Sequence, residues 1–366
     1  MSLTRLDIFN IRNIRRASLN PSQNNLIFGN NGAGKTSVLE AIYLLSNGKT
    51  FRAGAMENLI SHGQEECIVS GKWDDKSIGI ERHKSGLIKM RVNSQNVKRV
   101  SELSRIIPVH IIDPNAIELV EGSPNERRRF LDFTMFHVEH SYLEVLKNFQ
   151  NALKQRNALL KQILTDRAKL KDLEYWDNLY VGYAVALNRM RHETFYDVLV
   201  PWIKEVTDYL LPEFEISTTL IDGCKEYREE EDFRKELNRS RDQDLKYKST
   251  QLGPHRADII LKYKGKLAKD YLSRGQKKLL TYGVRLAPAM MLKKKKYEIG
   301  QILIDDMPSE LDVNSVEKIC QVLLQIEGQN TLTAVDRSNS QTQVICHYLR
   351  PTMFHVEHGG LEAIQS

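Results

Sequence analysis

The 366-residue sequence predicts an α/β fold that carries an antiparallel β subdomain and an inserted short helical hairpin. Three observations predict it. Residues 24–48 run from an apolar stretch through a glycine-rich turn into an amphipathic stretch, which is the order strand, loop, helix. Residues 66–99 contain three short stretches of alternating apolar and polar side chains, which are typical of antiparallel strands. Residues 141–210 have apolar side chains at steps of three and four, which indicates helices.

These segments predict one domain that is interrupted by another. Residues 1–140 would form the N-terminal part of the main domain, with the glycine-rich turn and the β meander, and residues 251–366 would form its C-terminal part. Residues 141–250 would form the inserted helical arm. In this arm a charged turn near residues 165–172 joins two helices, and residues 227–250 form a charged helix or a linker.

Composition favours a soluble cytoplasmic protein without a membrane partner. No stretch of eighteen apolar residues occurs, and the N-terminus lacks the apolar block of a signal peptide. The four cysteines are far apart and form no C-x-x-C pair, which argues against a disulfide framework, a zinc site or a redox motif. A formal net charge of +6 is compatible with a polyanionic partner, but 27% charged residues of both signs is ordinary for a soluble surface.

The glycine-rich turn, GNNGAGKT at residues 29–36, satisfies the pattern G-x-x-x-x-G-K-[ST] between a strand and a helix. Backbone N–H groups of such a loop and the helix N-terminus attract phosphate. Lys35 would reach the β- and γ-phosphates of ATP, and the hydroxyl group of Thr36 would ligate Mg²⁺. The predicted nucleotide contacts here are Gly29, Asn30, Asn31, Gly32, Ala33, Gly34, Lys35 and Thr36.

A second glycine-containing turn, LSRGQ at residues 272–276, also precedes an amphipathic helix. Further on, the apolar stretch ILI ends in Asp305 and Asp306, as expected of a buried strand that brings carboxylates to the edge of a sheet. In a P-loop ATPase, Asp305 would hold a metal-bound water, and Asp306 would orient or deprotonate the attacking water. The alternative is an ordinary strand end with two acids that face solvent.

Three consecutive arginines, Arg127, Arg128 and Arg129, lie near the start of a predicted helix. Successive helical residues are about 100° apart, so the three cannot share one face. Pairing with carboxylates, exposure to solvent and contact with phosphate all remain open for them.

The stretch TMFHVEH occurs twice, at residues 134–140 and 352–358. A metal site would use His137, Glu139 and His140, but their spacing matches neither H-E-x-x-H nor H-x-x-E-H. The first copy has a helical context, and the second precedes two glycines and is predicted to be a C-terminal strand. We expect one local sequence in two structural surroundings.

The order of these parts resembles the ATP-binding-cassette (ABC) ATPases of chromosome maintenance and DNA repair, whose heads are of the SMC type. Within that group, the sequence most closely resembles the RecF family of recombination mediators. The motifs that carry the resemblance are IRNI at 11–14, GNNGAGKT at 29–36, KTFR at 49–52, GSPNERRRFLD at 122–132, LKQRNALLKQ at 153–162, GPHRAD at 253–258, LSRGQ at 272–276 and DDMPSELD at 305–312.

The resemblance implies an ABC-type P-loop ATPase that dimerises head to tail when ATP is bound. Ser273, Gly275 and Gln276 of one chain would contact the γ-phosphate held by Lys35 of the other. The two phosphate-binding elements would thus serve two different sites. The family often has a small residue at the position of Arg274, so this chain departs from the pattern there.

Further roles are implied by position. Arg12 and Asn13 would flank the nucleotide, Asp312 would lie in the loop that crosses to the partner, and Asp336 would lie in the switch after the next strand. His110 would occupy the Mg²⁺-sensing position, where the family commonly has glutamine. The switch, TAVD, is poorer in threonine than is usual.

The implied function is an ATP-gated dimer that binds duplex DNA near single-stranded gaps. With RecO and RecR it would help to load RecA onto DNA coated by single-strand-binding protein, and a weak, DNA-stimulated ATPase activity would reset it. A transporter cassette would have a shorter separation between its two turns and no inserted hairpin. DNA contact would be mainly to phosphates. The candidates are Arg127, Arg128, Arg129, Lys154, Arg156 and the lysines at 293–296, which are also typical of a solvated helix end.

Overall fold

The computed structural model describes residues 2–52, 54, 56–165, 169–224, 229–297 and 299–364. The strands are β1 Leu3–Ile11, β2 Ile14–Leu19, β3 Asn24–Phe28, β4 Glu66–Trp73, β5 Lys76–His83, β6 Ile88–Val92, β7 Gln95–Val97, β8 Val109–Ile112, β9 Ile216–Ile221, β10 Asp258–Tyr263, β11 Lys266–Leu267, β12 Gln301–Ile304, β13 Gln329–Ala334, β14 Thr352–Glu357 and β15 Gly360–Ile364. The α-helices are α1 Lys35–Asn47, α2 Val100–Ile106, α3 Glu118–Glu121, α4 Pro124–Val138, α5 Tyr142–Ile163, α6 Leu173–Thr194, α7 Val200–Leu210, α8 Glu230–Arg239, α9 Arg241–Tyr247, α10 Ala268–Tyr271, α11 Arg274–Lys294, α12 Met307–Glu310, α13 Val313–Ile326 and α14 Ser340–Leu349. Across the part of the chain that is described, each helix is too short or too polar to cross a bilayer.

The chain divides into two compact units. The first comprises Met1–Ala116, Tyr209–Leu211 and Arg274–Ser366, and the second comprises Ile117–Asp208 and Pro212–Ser273. These limits differ from the sequence-based limits at 140 and 250. Part of the reason is an ion pair inside the second unit: Arg127 of α4 donates to both carboxylate oxygens of Asp258 on β10, at 2.6 and 3.0 Å. The arginine helix and the GPHRAD strand therefore belong with the helical arm.

The main sheet of the first unit is largely parallel. Its order is β15-β14-β3-β13-β12-β8, and only β15 at the edge is antiparallel to its neighbour. Every residue of β12 and β13 is buried, as expected when helices or strands cover both faces of a parallel sheet. Parallel strands end at the same edge of a sheet, so the segments after β3, β8, β12 and β13 come together there.

The second sheet of the first unit is antiparallel, in the order β2-β1-β4-β5-β6-β7. It confirms the meander predicted over residues 66–99. Its buried side chains, which include Leu6, Ile8 and Trp73, share one hydrophobic core with the apolar face of α1. Burial of this face fixes the register of the strands, since a slip by one residue would expose it.

The second unit contains the predicted helical hairpin, in which α5 packs along α6. The predicted turn near 165–172 includes residues 166–168, which lie outside the described residues. Of the charged segment 227–250, the first two residues also lie outside them, and the rest contains helices α8 and α9. Strands β9, β10 and β11 form a small antiparallel sheet, with Lys264 and Gly265 at the predicted turn.

The duplicated stretch TMFHVEH has two conformations, as expected. Residues 134–138 of the first copy are the last five residues of α4, whereas residues 352–357 of the second copy form β14. Among the described residues, neither copy belongs to a cluster of side chains with the spacing of metal ligands.

Candidate nucleotide-binding site

The glycine-rich loop lies between β3 and α1 and depends on backbone conformations that favour glycine. Gly29, Gly32 and Gly34 have φ angles of 154°, 80° and 125°. A Cβ atom on Gly29 would lie 2.2 Å from the carbonyl oxygen of Val356, which no side chain can tolerate. Strand β14 therefore enforces glycine at the first position of the loop.

Side-chain and backbone donors hold the loop from outside. The amide nitrogen of Asn13 donates to the carbonyl oxygens of Gly32 at 3.1 Å and Ala33 at 2.7 Å, and the Gly359 N–H donates to Ala33 at 3.0 Å. Since the C=O and N–H of one trans peptide point in opposite directions, the Gly34 N–H faces away from these donors. This orientation preforms an anion-binding concavity at the N-terminus of α1.

Lys35, the first residue of α1, is buried in the loop. Its ammonium group donates to the carbonyl oxygens of Gly29 at 2.7 Å and Asn30 at 3.1 Å. Burial lowers the pKa of Lys35, and the charges of Asp306 and Asp305 oppose that shift. Hydrogen bonds between two ionised groups are stronger than those to a neutral carbonyl, so a phosphate would compete well for this ammonium group.

Thr36 and Asp305 meet although 269 residues separate them in the sequence. The Thr36 hydroxyl group lies 3.1 and 3.0 Å from the two carboxylate oxygens of Asp305, and the Thr333 hydroxyl group donates to the same carboxylate at 2.7 Å. Burial raises the pKa of Asp305, while these hydrogen bonds oppose the shift. A hydroxyl and a carboxylate oxygen this close are suitable ligands for Mg²⁺.

Asp306 has a left-handed backbone, with φ of 57° and ψ of 34°. Its N–H donates to the Thr333 hydroxyl oxygen at 2.8 Å, and the Ser309 hydroxyl group donates to its carboxylate at 2.7 Å. Burial raises its pKa, with the Ser309 hydrogen bond opposing and the Asp305 charge adding to the shift. A left-handed backbone is costly for most non-glycine residues, but aspartate and asparagine adopt it more readily than others.

These groups line one cleft of about 390 Å³. Its other basic side chains are Arg12, which is paired with the buried Glu40, and Arg52, whose charge lowers the pKa of Asp305 against the effect of burial. The lining residues are Arg12, Asn13, Asn31, Gly32, Gly34, Lys35, Thr36, Ser37, Arg52, Pro114, Asp305 and Asp306.

His110 does not belong to this cleft, so its assignment as a Mg²⁺-sensing residue is wrong. It lies opposite Ile302 on the neighbouring strand, whereas the N–H of Asp305 bonds to the carbonyl oxygen of Ile112. Three positions along a strand correspond to roughly 10 Å. His110 is buried inside the sheet, where desolvation lowers its pKa to about 4. The segment after β8 contributes Pro114 instead.

The sequence patterns missed three features of the site. Arg52 belongs to the motif KTFR, but no spacing rule assigned it a role. Thr333 bonds to both aspartates because β13 lies beside β12, with Thr331 opposite Leu303. Only the parallel register reveals this contact, and the same is true of Pro114.

Several of the basic residues proposed to contact DNA have structural roles. Arg156 is fully buried and bonds to Asp177 and Asp244, each at 2.7 Å. A DNA-contacting role for Arg156 is therefore wrong, because its guanidinium group cannot reach a backbone phosphate. Arg127 is largely buried against Asp258 and is poorly suited to such contact for the same reason.

The remaining basic candidates are more accessible. Arg128 is half-buried and donates to the carbonyl oxygen of Ala257 at 2.7 Å, while Arg129 and Lys154 are exposed. In the lysine run 293–296, the first lysine pairs with Glu327 and the others are exposed at the end of α11. This arrangement fits a solvated helix end.

Comparison with known proteins identifies the family. The RecF/RecN/SMC N terminal domain family matches residues 2–359. The DNA replication and repair protein RecF of Shewanella frigidimarina is 34% identical over 373 residues, and the match covers all of this chain and all of that protein. The chain belongs to the RecF family. The RecF protein of a Marinomonas species is 35% identical over 345 residues, with 92% of this chain and 91% of that protein covered.

Solved structures agree. The structure of the recombination mediator protein RecF-ATP in the RecFOR pathway matches with a TM-score of 0.87 and 27% identity, over 99% of this chain and 97% of that chain. An SMC head bound to the C-winged helix domain of ScpA matches at 0.58 and 14% identity, over 100% of this chain and 97% of that chain, and shares the fold. The resemblance and the SMC-head-like fold class are confirmed.

In this RecF-family chain, the second glycine-containing turn is accessible. Ser273 and Gly275 are exposed, Gln276 is partly buried, and α11 begins at Arg274. Gly275 and Gln276 are not among the described residues that line the cleft. An exposed turn of this kind can contact a second chain.

Two further predicted site residues of the RecF-family chain organise local backbone. Asp312 is the N-cap of α13 and accepts hydrogen bonds from the N–H of Ser315 at 3.0 Å and from its hydroxyl group at 2.7 Å. Asp336 accepts in the same way from Ser338. These hydrogen bonds lower the pKa of each carboxyl group, so both carry charge near neutral pH.

Proposed function

We propose that this chain is an ATP-binding mediator of DNA repair and recombination, and that ATP hydrolysis resets it. The observation that carries the proposal is the meeting of Thr36 and Asp305 beside Lys35, in a loop whose glycines leave room for phosphate oxygens. The family membership and the likeness to RecF-ATP support it.

We further propose that Mg²⁺ accompanies the nucleotide. The residues fit this ion, because the Thr36 hydroxyl oxygen and both Asp305 oxygens lie within 3.1 Å of one another while Thr333 fixes the carboxylate. When bound, Mg²⁺ neutralises negative charge on the phosphate oxygens.

The side chains have separate tasks in this proposal. Lys35 exchanges the carbonyl oxygens of Gly29 and Asn30 for phosphate oxygens, and Arg12 and Arg52 balance the remaining charge. Asp306 orients the attacking water and accepts its proton, and its raised pKa makes it a stronger base than an exposed aspartate.

The second turn acts on the partner in this proposal. Ser273, Gly275 and Gln276 of one chain grip the γ-phosphate bound by the other, so ATP favours a head-to-tail homodimer. Asp312 and Asp336, whose carboxylates accept hydrogen bonds from Ser315 and Ser338, respond to the same nucleotide. ATP would link the chains, and hydrolysis would release them.

DNA is the proposed polyanionic partner, bound as duplex near single-stranded gaps and without sequence preference. The exposed candidates for phosphate contact are Arg129, Lys154 and the lysines at 294–296. RecO and RecR would act with this chain in the cytoplasm to place RecA on DNA coated by single-strand-binding protein, and DNA would stimulate a weak ATPase activity.

Nucleotide binding is tested by calorimetry with ATP, with and without Mg²⁺. Lys35→Met should weaken binding at least tenfold, because a charge-assisted hydrogen bond is lost, whereas the exposed Lys72→Ala should not change it. Asp305→Asn should remove the dependence on Mg²⁺. Asp306→Asn should bind ATP but not hydrolyse it; equal turnover by Asp306→Asn and the wild type would contradict the assigned base.

The dimer is tested by light scattering without nucleotide, with ADP and with ATP–Mg²⁺, each with and without gapped DNA. ATP should double the mass, alone or with DNA, and Ser273→Arg should prevent the doubling. A mass that does not change with nucleotide would refute the ATP-gated dimer but would not contradict ATP binding.

A further inference from the structure

Glu40, in the middle of α1, is a charged residue with no exposed side-chain surface. Burial of an unpaired carboxylate is costly, so its partners are informative. Arg12 donates to both carboxylate oxygens, through Nε at 3.0 Å and Nη2 at 2.8 Å. The Thr50 hydroxyl group donates to Oε1 at 2.5 Å.

Both partners lead to the nucleotide cleft. Arg12 lines this cleft. Its backbone has a left-handed φ of 53° and is held by a hydrogen bond from its N–H to the carbonyl oxygen of Leu59 at 2.8 Å. The Thr50 hydroxyl oxygen accepts the N–H of Arg52 at 3.1 Å, and Arg52 also lines the cleft. One carboxylate thus anchors two separate segments, each of which presents an arginine to the same space.

A purely structural role would not require this pattern. Apolar side chains in place of both Glu40 and Arg12 could fill the same space, and replacement of a whole buried ion pair in this way is often neutral or stabilising. Long arginine side chains lose conformational freedom when they bind an anion, and groups fixed in advance reduce that cost. An anchored Arg12 and an anchored segment 50–52 would therefore bind a triphosphate more tightly than mobile ones.

We propose that Glu40 is a positioning residue that holds Arg12 and Arg52 in place for the triphosphate. The inference rests on the proposed ATP binding. It gives the buried Glu40 of α1 a role in the affinity for ATP in addition to its role in stability. Thr50 is its relay to Arg52.

The test compares Glu40→Gln with Asp258→Asn, which breaks another largely buried arginine–carboxylate pair, in the second unit. Both variants should lower the melting temperature. Only Glu40→Gln should raise the dissociation constant for ATP, by about tenfold, because it weakens hydrogen bonds between charged groups. An ATP affinity within twofold of wild type, or an equal loss in Asp258→Asn, would overturn the inference.

A second measurement does not need ATP. Hydrogen exchange of the Arg52 amide should be faster in Glu40→Gln and in Thr50→Val, and near the wild-type rate in Thr50→Ser, which keeps the hydroxyl group. Unchanged exchange in Thr50→Val would overturn the relay even if Glu40→Gln failed to fold. If the wild type does not bind ATP but exchange changes as expected, the proposed function fails while the structural linkage stands.

Discussion

Replacement of Arg156 by leucine tests how much a buried charge contributes to the stability of the second unit. Its side chain is fully buried on α5, where Nε donates to Asp177, and Nη1 donates to Asp244 and to the Thr250 hydroxyl group, all at 2.7 Å. Its guanidinium carbon also lies 5.7 Å from the centre of the Tyr180 ring. Replacement by leucine would keep much of the volume but leave two buried carboxylates without their main partner.

The expected cost is about 3 kcal/mol in the free energy of unfolding. Breaking a buried ion pair on one side typically costs about 3–5 kcal/mol. The lower end applies because each acid keeps a second donor: Arg241 lies 3.1 Å from Asp177, and the Gln251 N–H lies 2.8 Å from Asp244.

Urea unfolding of the second unit can be followed by tryptophan fluorescence. Of the three tryptophans, Trp176 and Trp202 belong to this unit, so the measurement is made in a Trp73→Phe background. The matched control is Lys154→Leu, an exposed position on the same helix, which should change the free energy by less than about 0.5 kcal/mol. A cost below about 1 kcal/mol for Arg156→Leu would contradict the stabilising role of these ion pairs. A specific loss of DNA binding by a stably folded variant would contradict a purely structural role for Arg156.

Three other outcomes follow from the structure. Gly29→Ala should abolish ATP binding or destabilise the loop, since its Cβ would lie 2.2 Å from the Val356 carbonyl oxygen. Calorimetry measures the first effect and thermal melting the second, and wild-type behaviour in both would contradict the loop geometry. Burial lowers the pKa of His110 and His255 to about 4, so only the unfolded chain takes up their protons as the pH falls from 6.5 to 4. The free energy of unfolding should therefore decrease as the pH falls through that window, by up to about 1.4 kcal/mol per pH unit for each histidine. Urea titrations at several pH values should find a shallower slope in His110→Gln. Asp312→Ala should cost about 1 kcal/mol in unfolding experiments through loss of the α13 N-cap, and no cost would mean that the cap is replaced by solvent.

Much of the nucleotide site was predictable because its signals are local. A strand, a glycine-rich turn and a helix follow one another within residues 24–48, and Asp305 and Asp306 directly follow an apolar stretch. These features depend on backbone angles and on side-chain periodicity within a few residues. The prediction that His110 senses Mg²⁺ is wrong because the position of a residue along a parallel sheet depends on the register between strands. The sequence of one strand does not contain that register.

The phosphate loop, the meander, the helical arm and the family can all be recognised in the amino-acid sequence, because each has a local or collinear signature. The burial of charges such as those of Arg156 and Glu40, and the contact between distant groups such as Thr36 and Asp305, depend on how the elements pack. The stretch TMFHVEH shows the difference, since its first five residues end a helix in one copy and its first six form a strand in the other. Local propensity differences are small beside the free energy of burying a face against a core, so the neighbours select the conformation.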